Sequence, residues 1–252
     1  MSPGRWLRSI AALVGAAALV AAAAGPARAA YQASADANTT AFSLNCIGFN
    51  DAYPARMLSA ALGGYANLGY TTTAYSGTAF SKTQVLSRTL NDWGFYVHSH
   101  GDNYWAASGY PNVDSGFLQD PGTSRCNSAS TDVVRSSSIK AATYGGPFTL
   151  VIMSTCYLGA DSSTMPGAFQ IEKTKLSPQP EFYLSYANHV YDSAMLRFEQ
   201  AFWSYINSGN PNYTLWGAFT YANSIGGYPI PDAQDPFLPN WWGSSIYNGH
   251  PL

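Results

Sequence analysis

His98 and His100, two of the chain's four histidines, stand two positions apart in WGFYVHSHGDN, at the end of an apolar run and directly before Gly101 and Asp102. A second apolar run, FTLVIMSTCYLG, closes on Cys156. Two chemistries fit these residue types. A thiol beside an imidazole performs covalent acyl transfer: the sulfur attacks a carbonyl, and the ring takes the proton and hands it to the leaving amine. Two imidazoles with a carboxylate or thiolate bind zinc, so His98 and His100 with Asp102 or Cys156 would also hold a single metal ion for hydrolysis. The chain has three cysteines, an odd number, which leaves at least one thiol outside any intramolecular disulfide. Cys126 lies in the loop-like DPGTSRCNSAS and Cys46 near the start of the mature chain, so these two are the expected disulfide and Cys156 the free thiol.

The elements that must position these groups follow from periodicity. TTAFSLNCIGFN (39–50) reads as the first strand, and the segment after it carries Met57, Leu58, Ala61, Leu62 and Tyr65 at helical spacing. TTTAYSG is β-prone. Ser81-Lys82-Thr83-Gln84 is a capping box opening a helix whose buried stripe would be Val85, Leu86, Leu90 and Trp93, with Gly94 ending it in a left-handed conformation. GFYVH is then a strand, 101–130 a long polar insertion, SIKAATYGG a short helix and PFTLVIMS an interior strand. EFYLSYA adds a strand, and Met195, Phe198, Phe202 and Tyr205 mark a long helix. A shorter helix over TLWGAFTYANS and an irregular tail with a last strand at SSIYNG complete the chain. This alternation predicts a three-layer α/β/α sandwich with a mostly parallel sheet. In such sheets ligands gather at the carboxyl ends of the strands, where His98, His100 and Cys156 all fall.

Residues 1–29 read as a signal peptide: two arginines, an uncharged alanine-rich run and Ala27-Arg28-Ala29 as the cleavage pattern. The mature chain, 30–252, is expected to form one secreted domain. Without Arg5, Arg8 and Arg28 the 12 basic residues fall to 9 against 14 acidic ones, a balance with no electrostatic reason to bind nucleic acid or anionic lipid. No nucleic-acid partner is expected, and no membrane contact once the leader is cut. The sequence does not indicate an oligomeric state.

The two blocks, GFYVHS-His100-Gly101 and FTLVIMS-Thr155-Cys156, resemble the caspase-like cysteine peptidases, the group of legumain, clostripain and the gingipains. The resemblance runs from about residue 40 to 225. It implies a caspase-like fold, a His100–Cys156 dyad needing no cofactor, and a peptide or protein substrate. It also implies that the amides of Gly101 and Cys156 polarise the substrate carbonyl. Thr155 departs from the alanine, aspartate or glycine usual before the cysteine, and the insertion between the blocks is long.

The remaining candidates have supporting roles. His98 would stack beneath the site, and Asp102 lies close to His100. Asp51 and Asp192 fall in strand-end loops that also bring Asp102, Asp114 and Asp120, so a pocket for a basic side chain before the scissile bond is expected. The same aspartates would suit a calcium-binding rim. Against the zinc reading, His98-x-His100-x-Asp102 resembles the H-x-H-x-D-H motif of metallo-β-lactamase-like enzymes, but Asn103 replaces its last histidine. A third class is a non-catalytic secreted binding module using Trp105, Trp241 and Trp242.

Overall fold

The computed structural model describes residues 31–39, 52–102, 114–120, 132–143, 148–161, 163–172, 181–208, 213–225 and 239–243. The expected leader, the expected strand over 39–50 apart from Thr39, Asp51, Trp105, the Cys46–Cys126 bridge and the SSIYNG strand lie outside them. No helix among the described residues is long and apolar enough to cross a membrane.

Among the described residues the main sheet has six strands: β1 (Gln32–Ala37), β2 (Thr71–Ser76), β3 (Gly94–His98), β7 (Leu150–Ser154), β8 (Phe182–Tyr186) and β9 (Pro239–Gly243). Their order is β2-β1-β3-β7-β8-β9. Every pair is parallel except β8 with β9. Side chains alternate between two cores. Ala33, Ala35, Tyr96, Ile152 and Leu184 face α1 (Ala52–Asn67), α5 (Asp192–Ile206) and α6 (Leu215–Ile225). Phe95, Val97, Val151, Met153 and Tyr183 face α2 (Lys82–Arg88), α3 (Ser136–Ala142) and α4 (Met165–Ala168). Burial on both faces explains why β3, β7 and β8 read as near-continuous apolar runs. Part of the insertion forms a small antiparallel sheet of β4 (Gly101–Asp102), β5 (Gly116–Leu118) and β6 (Val133–Arg135), which the polar composition does not reveal.

Five expectations are corrected. The first strand is QASADA, earlier than 39–50, and Thr39 lies beyond its end. Its alanines are small because α1 packs close, so the segment lacks the bulky residues that usually mark a strand. The capping box is half formed: Ser81 Oγ accepts the Gln84 amide at 3.2 Å, but the Gln84 side chain does not return the bond. The helix stops at Arg88, leaving Leu90 56% and Trp93 37% exposed. Gly94 is no helix cap; it opens β3, where a Cβ would lie 2.6 Å from the Tyr65 ring and 2.8 Å from Ala33. Trp241 and Trp242 are buried in β9 against Phe182 and Tyr183, so they offer no surface to a ligand.

Candidate active site

Residue pairing between β3 and β7 sets His98 opposite Ser154. Beyond that point both chains leave the sheet together, the Ser99 amide donating to the Ser154 carbonyl at 3.3 Å. Gly101 then rests on the other chain so closely that a Cβ would meet the Cys156 carbonyl oxygen at 2.5 Å and Thr155 Cβ at 2.7 Å. His100-Gly101 and Thr155-Cys156 are therefore neighbours at the carboxyl edge of the sheet.

Cys156 is held at a sharp turn. Its carbonyl accepts the Leu158 amide at 2.8 Å, and Tyr157 between them adopts φ 63°, a left-handed conformation that costs a non-glycine residue roughly 1–3 kcal/mol. The half-buried thiol faces the β8–α5 turn: its sulfur accepts the Val190 amide at 3.4 Å and donates to the Val190 carbonyl at 3.6 Å. Burial pushes the thiol up to about 11; the Val190 backbone opposes this, while the Asp192 and Asp102 carboxylates add to it. Burial, with His189 nearby, holds the His100 imidazole below its ordinary value. At neutral pH the two groups are an uncharged thiol and an uncharged imidazole, so attack on a carbonyl must move the proton as the S–C bond forms.

Behind them lies a buried polar layer. His98 has no exposed surface; its Nδ1 is 3.1 Å from Ser154 Oγ and its Nε2 3.8 Å from Asp192 Oδ1. Burial, then the neighbouring His100, brings His98 down to about 3, and burial lifts Asp192 to about 7. The contact between them is therefore not an ion pair at neutral pH, although the separation would allow one. Glu199, on α5, accepts the Tyr96 hydroxyl at 2.7 Å and the Tyr186 hydroxyl at 3.0 Å, joining the helix to β3 and β8. Burial raises Glu199 to about 7.

The crystal structure of gingipain R, an Arg-specific cysteine proteinase, matches this chain with a TM-score of 0.52 at 11% identity over 85% of the chain. The fold is caspase-like. The match takes in 46% of the gingipain R chain, so this protein spans less than half its length. A Geobacter sulfurreducens protein solved as a structural genomics target aligns over 84% of this chain and 93% of its own at 11% identity, with a TM-score of 0.45. No family model and no curated protein matches the sequence.

On this caspase-like frame the sequence candidates separate. His98, His100, Gly101, Cys156 and Asp102 gather at one sheet edge, Asp102 half-buried in β4. Asp192 belongs to the layer beneath, only 4% exposed. Asp114 and Asp120 are taken up elsewhere, Asp114 by Ser136 and Ser137 and Asp120 by Thr39. Among the described residues no group of three or more His, Cys, Asp or Glu converges as metal ligands. Sequence reasoning missed Ser154, Val190 and Glu199. Only Glu199 left a signal, as an acid beside the apolar stripe of α5; the Val190 contacts come from the backbone, which no side-chain pattern records.

Proposed function

We propose that the protein is a secreted cysteine hydrolase acting as an endopeptidase, with residues 1–29 as its leader and 30–252 as one three-layer domain. The observation that carries this reading is the seating of Gly101 on the Cys156 carbonyl, which joins the two motif ends. His100 takes the Cys156 proton as the sulfur adds to the peptide carbonyl, and the amides of Gly101 and Cys156 receive the developing oxyanion. Collapse of the adduct breaks the C–N bond, and the imidazolium gives its proton to the departing amine. Water, deprotonated by His100, then cleaves the thioester and restores the thiol. No cofactor is needed for these steps.

Asp102, half-buried at the sheet edge, would favour a basic residue before the scissile bond, because an acidic side chain there would meet like charge; Asp51, outside the described residues, is the second carboxylate the sequence offers for that role. The test is hydrolysis of a peptide library carrying Arg, Lys, Asp, Asn or apolar residues at that position, with and without calcium, by the wild type and by Cys156→Ala. Cleavage after Arg and Lys that disappears in C156A is expected. Equal hydrolysis by both proteins would overturn the thiol mechanism, and preference for Asp or apolar residues would overturn the specificity alone.

A further inference from the structure

β2 (Thr71–Ser76) closes one side of the main sheet, with β1 as its one strand neighbour among the described residues. The Thr71 amide donates to the Tyr31 carbonyl at 2.8 Å, so it points at β1. Main-chain groups alternate in direction along a strand as side chains do. The register from Gln32↔Thr71 to Ala37↔Ser76 is unbroken, so Thr73 and Tyr75 also bond to β1. Thr72 and Ala74 therefore turn their N–H and C=O groups outward, where no described residue pairs with them. Thr71, Ala74 and Ser76 are exposed and the residues between them half-buried. An open edge of this kind is ordinarily guarded by lysine, proline or a bulge. β2 has none of these: TTTAYS carries no charge and no proline, and it pairs without a bulge. The opposite margin is guarded, because β9 starts at Pro239, which has no amide to offer, and ends at Gly243 with φ 101°.

We propose that this edge joins a second copy of the chain, β2 against β2 in antiparallel order, about a two-fold axis between the two copies of Thr73. In that register Thr72 of each copy exchanges both main-chain bonds with Ala74 of the other, which satisfies the outward groups of both residues. Thr73 lies opposite itself and Tyr75 opposite Thr71. These side chains share the sheet face that packs on α2, where Tyr75 already leans on the core from a half-buried position. Thr–Thr and aromatic–β-branched pairs are among the favourable cross-strand neighbours. A strand that is its own complement presents the same patch on both subunits, as an isologous dimer requires. Without charge along it, β2 has nothing to select an acidic or basic peptide and nothing to repel another β2. The proposal is independent of the chemistry assigned to Cys156.

Sedimentation velocity of the full mature chain from about 1 to 100 µM should show a reversible monomer–dimer equilibrium. Thr73→Lys sets like charges opposite each other across the axis. Ala74→Pro removes an outward amide and leaves every bond to β1 in place. Each should weaken self-association about tenfold or more. Thr73→Cys supplies a direct test of the register, and it does not depend on the lysine and proline variants folding. Directly opposed residues of a non-hydrogen-bonded pair have Cα atoms about 4.5 Å apart, within reach of a disulfide, whereas Ala74 lies opposite Thr72 and not opposite itself. Air oxidation should therefore link T73C through residue 73 of both copies and leave A74C largely unlinked, as mapped by mass spectrometry of non-reduced peptides. A wild type that stays monomeric throughout would leave the edge to a foreign strand and overturn the proposal. So would a dimer that T73K and A74P leave intact, or an A74C that links as fast as T73C.

Discussion

Substituting Gly101 by alanine probes the one contact on which the geometry of the site depends. The new methyl would sit 2.5 Å from the Cys156 carbonyl oxygen, about 0.9 Å inside ordinary van der Waals contact, and 2.7 Å and 2.9 Å from Thr155 Cβ and Oγ1. None of these atoms is the free end of a flexible chain. The carbonyl belongs to a tight turn already bonded to Leu158, and Thr155 is fully buried. Relief must come from separating the two strand ends by most of an ångström. Overpacking of this kind costs about 1–3 kcal/mol, a fall in Tm of roughly 2–12 °C for a protein of this size. Displacement of a reacting group by about 1 Å costs around 100-fold in rate. Thermal unfolding and peptide hydrolysis measured on the same G101A preparation should show the modest loss in Tm and the much larger loss in kcat/KM. A folded variant with wild-type rate and wild-type Tm would refute the argument that these chains touch.

Asp36 lies wholly buried on β1; burial, reinforced by Asp92 and opposed only in part by Gln84 and Arg88, raises it well above its ordinary value. The folded state thus favours its neutral form, a contribution present at low pH and lost as pH rises, so Asp36→Asn should raise Tm at pH 8 and leave it little changed at pH 4. Glu199→Leu strands the Tyr96 and Tyr186 hydroxyls and should cost roughly 2–4 kcal/mol, whereas Glu199→Gln keeps an acceptor and should cost less; denaturant titration at pH 6 separates them. Because burial lifts Glu199 to about 7, E199Q should gain on the wild type as pH rises from 5 to 8. Ser81→Ala removes the one formed half of the capping box and should lower stability by about 1 kcal/mol with hydrolysis unchanged.

Legibility of the fold varied with how each element is buried. β3, β7 and β8 are enclosed on both faces and carry bulky apolar residues, so composition alone marked them, as helical spacing marked α1 and α5. β1 escaped because the same enclosure, where α1 comes close, selects alanine, and because Ser34 and Asp36 fill its other face. The insertion concealed β4, β5 and β6, strands of two or three residues that are too short for any period to show. At the candidate site, the meeting of Gly101 with Thr155 and Cys156 was foreshadowed because each block ends an apolar run. Asp192 was recognisable as an acid near a strand end but not as a buried one, since its surroundings come from β3 and from the turn after β7, far away in the chain.

The central claim, that Cys156 is a nucleophile served by His100, is tested most directly by a peptidyl chloromethyl ketone ending in arginine. Wild-type protein, His100→Ala and His98→Ala would each be treated at pH 7.5, and the modified residue located by peptide mass spectrometry. At that pH the thiol, lying near 11, is almost entirely protonated, so rapid labelling requires a base to take its proton. The account predicts a single adduct on Cys156, formed about 100-fold or more slowly in H100A and slowed much less in H98A. An adduct on another residue, or labelling that survives the loss of His100 but not of His98, would contradict it.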